Sequence, residues 1–292
     1  MDLPRITVVT PSFNQGQYLE ATIRSVLDQG YPKLEYMVVD GGSSDDSVEI
    51  IRRHEGRLAW WISEKDQGQS NAINKGFARG TGELFSYINS DDTLIPGSLA
   101  AAAESYQNGH QWITGWALFL EPQEGQWPQL PRAMATNIDW FRSNPICQQG
   151  TFWAARFTRE LGGFWEDMRY TFDYEFWMRL WFVAKVKPLM LRRCMGGFRL
   201  HETSKTVSEQ EAFWPEFRRV RAHYRPRLTP QEQRAWDEAV RHEEWQNNHN
   251  WAWQSLTQGD VAAARKYAKE ALRRNRTSLH AWKLMYCAMR GY

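Results

Sequence analysis

The sequence predicts an α/β fold, a mainly parallel sheet flanked by helices, followed by an α-helical C-terminal extension. Three observations carry this. Up to about Pro96, short β-rich runs alternate with stretches of helical period. Each run ends in a polar loop of Gly, Ser, Asn and Asp. From Ser208 onward the pattern is helical with charged faces.

The elements follow in order. Arg5–Thr10 reads as a buried strand, broken by Pro11-Ser12-Phe13-Asn14. Tyr18, Leu19, Ile23, Val26 and Leu27 fall at helical spacing, and Gly30 and Pro32 stop that helix. Leu34–Val39 is a second strand ending at Asp40–Asp45, where Ser44 or Asp45 can cap a helix carrying Val48, Ile50 and Ile51. Leu58–Ile62 is a third strand, followed by a helix over Gly68–Ala78. Glu83–Ile88 is a fourth, ending at Asn89-Ser90-Asp91-Asp92. Ligands of such sheets sit beyond the carboxyl ends of the strands. The loops Pro11–Asn14, Asp40–Asp45, Ser63–Gln69 and Asn89–Thr93 are therefore expected on one rim.

After Pro96 the pattern changes. Trp112–Leu120 reads as a longer strand, Glu121–Pro131 as a loop and Gln149–Ala154 as a short strand. Asp173–Phe182 has apolar residues on nearly every face and predicts a buried helix. Val186–Leu191 and Gly197–Leu200 read as two edge or return strands. In Trp251–Gly291, small residues and a Gly259-Asp260 turn describe a helical hairpin that resembles one tetratricopeptide-type repeat. One such repeat cannot bury a core alone. The expected domains are 1–207 and 208–292, with the hairpin at about 251–291.

With 292 residues, 42% hydrophobic and 24% charged, the chain can bury a sizeable core, which excludes global disorder. Three scattered cysteines show no CxxC and no zinc spacing, so a reducing compartment is expected. No apolar run approaches the ~18 residues of a membrane span, and MDLPRITVVT does not read as a signal peptide. The net charge of +2 hides an asymmetry: from Glu216 onward there are 15 Lys and Arg against 8 Asp and Glu, leaving 21 against 26 before it. A basic tail suits an anionic surface. Trp, at 16 residues, raises the question of sugar stacking, although most Trp in any chain is core.

Asp40 and Asp91-Asp92 each follow a strand directly. Adjacent carboxylates on one rim repel unless a cation or a ligand hydroxyl lies between them. Mg2+ and Mn2+ take oxygen ligands and leave positions open for phosphates. The alternative is that Asp91-Asp92 cap a helix over Ile95–Ala103.

The run TPSFNQGQYLEATIRSVLDQGYPKLEYMVVDGGSSDDSVEII resembles the opening of inverting family-2 glycosyltransferases of the GT-A fold. SEKDQGQSNAINKGFARGTGELFSYINSDDTLIPGSL continues the resemblance in order and spacing, and QQGTFW, GGFWEDMRYTFDYEFWMRL and FRLHETSKT resemble the acceptor-side half. The resemblance covers about residues 4–206 and implies roles. Thr10, Pro11, Ser12 and Asn14 match the turn that cups the donor nucleoside, and Asp40 the acid that accepts from a pyrimidine N3–H, favouring uracil or thymine. Asp66, Gln67, Gly68, Asn71, Asn74 and Lys75 match the segment closing over ribose and diphosphate. Asn89–Asp92 matches the metal motif, with Asn89 where many relatives have Asp. Metal binding, Mn2+ or Mg2+, then rests on Asp91 and Asp92, with His201 reaching the metal or diphosphate; Asp91 also faces the donor. Arg199 and Lys205 are further phosphate candidates.

Asp173 matches the catalytic base, with Glu175 as a competitor. Inversion needs such a base, because the acceptor hydroxyl must lose its proton as it attacks the anomeric carbon. Trp153, Trp165, Glu166 and Asp167 lie near the acceptor-side motifs.

The resemblance implies transfer of a sugar from a nucleotide donor, UDP-sugar first, to a glycan or lipid-linked hydroxyl in bacterial surface polysaccharide synthesis. The competing class is a non-catalytic nucleotide-binding scaffold of a polysaccharide assembly complex, hinted at by Asn89 alone. The expected location is cytoplasmic, peripheral at the inner face of the cytoplasmic membrane through the basic C-terminal region. No nucleic-acid partner is expected.

Overall fold

The computed structural model describes residues 2–121 and 127–291. Residues 122–126, within the stretch read as a loop, lie outside the described residues. Contacts divide the chain into two compact units. The first holds residues up to Ala133 and Pro145–Tyr224; the second holds Met134–Asn144 and residues from Arg225 onward. The division at Tyr224 falls later than the 207/208 break expected from sequence, because helical residues just before it pack on the first unit's buried helix: Tyr224 hydroxyl donates to Glu175 at 2.8 Å.

The first unit is built on one mixed sheet. Its strands are β1 (Ile6–Ser12), β2 (Leu34–Asp40), β3 (Trp60–Ser63), β4 (Leu84–Tyr87), β5 (Thr93–Leu94), β6 (Trp112–Leu120), β7 (Thr151–Ala154) and β8 (Leu189–Arg199). The order is β3-β2-β1-β4-β7-β6-β8-β5. The half formed by β3, β2, β1 and β4 is parallel, as the alternation of strand and helix requires. β7 enters antiparallel between β4 and β6. β1 is buried at every position, as its short β-rich run predicts for a central parallel strand.

The helices of this unit are α1 (Gly16–Leu27), α2 (Ser47–His54), α3 (Gln69–Arg79), α4 (Ser98–Gln107), α5 (Ala155–Leu161), α6 (Phe172–Phe182), α7 (Lys205–Ser208) and α8 (Phe213–Tyr224). α1 buries Leu19, Ile23, Val26 and Leu27 with Ile6, Val8, Tyr36 and Val38 of the sheet. α3 comes close to β1 because residue 76 is Gly: a Cβ there would lie 2.6 Å from both methyls of Val9.

Two expectations are corrected. Val186–Leu191 and Gly197–Leu200 are not separate strands; β8 runs unbroken from Leu189 to Arg199. Gly196, within the strand, admits a close approach, since a Cβ there would lie 2.5 Å from that of Gln149. The N-cap residue of α2 is Asp46 rather than Ser44 or Asp45, although Asp45 Oδ1 still accepts from the first N–H of the helix, that of Ser47, at 3.0 Å. Asp45 accepts from the Gly16 N–H at 2.8 Å and so anchors the start of α1.

The second unit contains α9 (Pro230–Thr257), α10 (Val261–Arg274) and α11 (Leu279–Arg290). Thr229 and Glu232 form a capping box at the start of α9. Gly259, at φ 78°, makes the α9–α10 turn. Ala252, Ala264, Ala268, Leu284 and Ala288 form the shared core, so residues 251–291 contain the end of α9 and two further helices. Among the described residues, no helix is long and apolar enough to cross a membrane.

Candidate active site

Parallel register brings Ser12 beside Asp40, and Asp40 beside Ser63, at the carboxyl ends of β1, β2 and β3. The loops that follow are tied to one another. Asn14, in the left-handed region, donates its N–H to Ser43 Oγ and accepts from the Ser44 N–H, both at 2.8 Å. Asp40 is fully buried. Its Oδ2 accepts from the N–H groups of Gly42 (3.1 Å) and Ser43 (2.9 Å) and from Ser63 Oγ (2.7 Å), and its Oδ1 from Ser43 Oγ (2.5 Å). A carboxylate offers about four lone-pair sites. Oδ2 is thus saturated, whereas Oδ1, with one accepted bond, keeps an acceptor site.

Thr10 and Pro11 are buried, and Thr10 Oγ1 is hydrogen-bonded to Tyr36 OH at 2.9 Å inside the sheet. The Thr10 side chain thus braces the strand rather than lining the rim. Ser12 Oγ is buried with no partner among the described residues. Phe13 between them is 60% exposed, an open aromatic face beside the Asp40 loop. Sequence reasoning passed over it, although its place inside the strand-end turn was the available signal.

Asp66 accepts from the Gly68 N–H at 2.8 Å, and Gly68 takes a φ of 117° that suits glycine alone. Asn71 and Asn74 of α3 donate to the two oxygens of Glu166 at 2.7 and 2.8 Å. Asn74 also accepts from the Phe164 N–H at 2.9 Å. These asparagines latch the donor-side helix to the loop after α5. Glu166, expected on the acceptor side, is thus held by donor-side residues. Lys75 donates to Glu64 at 2.7 Å.

The turn after β4 separates its two acids. Asp92 is buried, and its oxygens accept from the Arg199 N–H (3.0 Å), Gln149 Nε2 (3.1 Å) and Asn89 Nδ2 (3.2 Å). Burial first, and then the Asp91 charge, push its pKa well above the usual carboxylate range. An Asp at position 89 would set a second carboxylate against this buried one, whereas Asn89 supplies a donor. Asp91 is partly open, and His201 Nε2 lies 3.1 Å from its Oδ2. His201 Nδ1 is 2.9 Å from Thr203 Oγ1, a partner that can hold the tautomer with Nε2 free for a cation. Arg199 donates to the Asp91 carbonyl at 2.7 Å and lies over Tyr18, whose ring also meets that of His201. Lys205 donates to Gln69 Oε1 at 2.8 Å, and Gln69 donates to Asn89 at 2.6 Å.

Among the described residues, no three His, Cys, Asp or Glu gather as a metal cluster. Of the expected ligands Asp91, Asp92 and His201, Asp91 and His201 face each other, whereas Asp92 is buried and commits three of its about four lone-pair sites to internal hydrogen bonds. One carboxylate and one imidazole still suit Mn2+ or Mg2+ when substrate phosphates complete the shell. The reading of Asp91-Asp92 as a helix cap also fails, since α4 begins at Ser98 behind Gly97.

Asp173 lies in the first turn of α6 and accepts from the Tyr174 N–H at 2.6 Å. Buried Tyr87 has its pKa raised first by burial and then by the charges of Asp173 and Asp92, which places both acids near the end of β4. Glu175 is fully buried and paired with Arg179, with Tyr224 donating to it, so it is not available as a base. Trp153 is corrected as an acceptor residue. It is 1% exposed, packs among Phe77, Phe164, Phe176 and Trp177, and donates its indole N–H to Thr158 at 2.9 Å. Trp165 is half-buried against His223 with Arg219 over its ring, and Arg219 also pairs with Asp167 at 2.6 Å.

Residues 7–162 match the family model described as glycosyl transferase family 2. The chain belongs to that family. As a family-2 glycosyltransferase it is 28% identical over 199 residues to an uncharacterised glycosyltransferase of Mycobacterium tuberculosis, covering 67% of this chain and 75% of that one. It is also 28% identical over 117 residues to the GalNAc(5)-diNAcBac-PP-undecaprenol beta-1,3-glucosyltransferase of Campylobacter jejuni, covering 39% of this chain and 38% of that one. The GT-A fold is shared with S. aureus TarS in complex with UDP-GlcNAc, at a TM-score of 0.61 and 14% identity, over 98% of this chain and 92% of that one. The mannosyltransferase PcManGT from Pyrobaculum calidifontis, in complex with GDP-Man and Mn2+, matches at a TM-score of 0.62 and 16% identity, over 99% and 81%.

In this glycosyltransferase, β1–β4 bring Ser12, Asn14, Asp40, Asp66, Gly68 and Asp91 to the strand-end loops, with His201 against Asp91. Thr10, Asp92 and Trp153 are instead turned inward.

Proposed function

We propose that the protein transfers a hexose, with inversion, from a nucleoside diphosphate donor, UDP-sugar first, to a hydroxyl of a glycan or lipid-linked acceptor in bacterial surface polysaccharide synthesis. The observation that supports the reading is Asp91 beside His201, at 3.1 Å, in the turn after β4, together with Asp173 in the first turn of α6. Asp173 takes the acceptor proton, and backbone N–H groups of the first turn of α6 orient its carboxylate. Asp91 and His201 would hold Mn2+ or Mg2+, which when bound offsets charge on the departing diphosphate. Phe13 offers a ring for the base, and Arg199 and Lys205 bring positive charge toward the phosphates. Ser12, Asn14, Asp40, Asp66 and Gly68 shape the donor pocket. The Campylobacter jejuni relative, whose name specifies an undecaprenol-linked acceptor, supports a lipid-linked acceptor here.

Asn89 gives the scaffold alternative little support, because it serves buried Asp92. The test is incubation with Mn2+ and a panel of UDP-, TDP- and GDP-sugars, reading nucleotide binding by thermal shift and nucleotide release. Binding and release with a UDP-sugar are expected. Absence of binding across the panel would overturn the reading.

A further inference from the structure

We propose that the outer face of α11 docks on an anionic lipid surface. The inference does not depend on the transferase reading. α11 buries Ala281, Leu284 and Ala288. Its other side exposes Leu279 (82%), Trp282 (55%), Tyr286 (53%) and Met289 (64%). Their spacing of three, four and three residues makes one continuous stripe along a helix. Lys283 and Arg290 are also exposed and fall on the flank of that stripe, and α11 contains no acid.

Charge follows the same segment. Residues 216–260 hold 7 Lys and Arg against 7 Asp and Glu, whereas residues 261–291 hold 8 against 1. The whole positive surplus of the tail therefore lies on α10, α11 and the turn between them, which carries Arg276. Several of these cations are engaged within the fold: Arg265 donates to the carbonyls of Ala288 and Met289, Arg273 pairs with Glu270, and Arg274 pairs with Glu244. Lys283 and Arg290 lie exposed beside the stripe, with Arg290 4.9 Å from the Tyr286 ring.

An aromatic and aliphatic stripe flanked by cations is the pattern of a helix that lies in the plane of a membrane interface. Trp282 already donates its indole N–H to the Arg276 carbonyl at 2.9 Å, so its exposed ring can enter an apolar layer without leaving a donor unsatisfied. A second copy of the chain is the competing occupant. Two identical faces with the same positive surplus would repel each other, whereas an anionic bilayer attracts both features.

The test uses the full chain in flotation with vesicles of phosphatidylcholine alone, or of phosphatidylcholine mixed with phosphatidylglycerol. Binding to the anionic vesicles is expected to exceed binding to the neutral ones by about tenfold at low salt and to fall steeply in about 0.5 M NaCl. The triple variant Leu279→Gln/Trp282→Gln/Met289→Gln should lose vesicle binding. Lys283→Gln/Arg290→Gln changes only exposed cations and should weaken anionic binding by about 30-fold. Equal binding to the two vesicle types, or unchanged binding of both variants, would overturn the proposal. So would a stable dimer by sedimentation velocity that the triple variant dissociates, which would assign the face to a second copy.

Discussion

His201 Nε2 lies 3.1 Å from Asp91 Oδ2, while the carboxylate of the next residue, Asp92, is held in the interior by Arg199, Gln149 and Asn89. Two adjacent acids therefore do different work, and substitution should separate them. Asp91→Asn is expected to weaken Mn2+-dependent nucleotide binding by about tenfold or more with little change in melting temperature. Asp92→Ala leaves three buried donors unpaired and should cost about 1–3 kcal/mol, seen as a drop of several degrees. Isothermal calorimetry with UDP and Mn2+, beside thermal melts, checks both.

Glu175 offers a contrast in stability. It is fully buried against Arg179, whose guanidinium also donates to the carbonyls of Leu161, Gly162 and Gly163. Glu175→Ala strands a buried cation and is expected to destabilise by about 3–5 kcal/mol. Urea denaturation reads it. A neutral outcome would show that Arg179 finds compensation elsewhere.

Lys205 gives a pH signature. Burial first, and then the Arg169 charge, lower its pKa below 10.5. Between the folded value and 10.5 the unfolded chain holds more protons than the native one, so this group's contribution to stability rises with pH across that window. The melting temperature of the parent minus that of Lys205→Met should therefore increase as pH climbs toward 10.5. A flat or falling difference would contradict the assignment.

Phe13 is exposed beside the Asp40 loop. If its ring carries the base, Phe13→Ala should raise the donor KM by about tenfold, in line with the usual worth of base–aromatic stacking. Because the side chain is on the surface, the melting temperature should stay within about a degree. An unchanged KM would remove Phe13 from the donor site.

The parallel half of the sheet was legible because β1 and β2 are β-rich runs that end in polar loops, and those loops sit where the topology puts them. The remainder escaped for specific reasons. β8 read as two strands because the exposed Arg192 and Arg193 and the Gly196-Gly197 pair imitate a break, whereas the glycines admit Gln149 and Thr93. Trp153 read as an acceptor platform because sequence shows an aromatic beside a motif but not which side of β7 it faces. The latch from Asn71 to Glu166 joins residues 95 apart and leaves no local pattern to find. Asn89 read as a missing ligand until the buried carboxylate it serves was seen.

The central claim is that Asp173 is the base of a sugar transfer. Asp173→Asn keeps the side chain's shape and removes the proton acceptor. With Mn2+, the donor sugar nucleotide and an acceptor, the account predicts nucleotide binding within about twofold of the parent and transfer lowered by about a hundredfold or more. Turnover at the parent rate would contradict it.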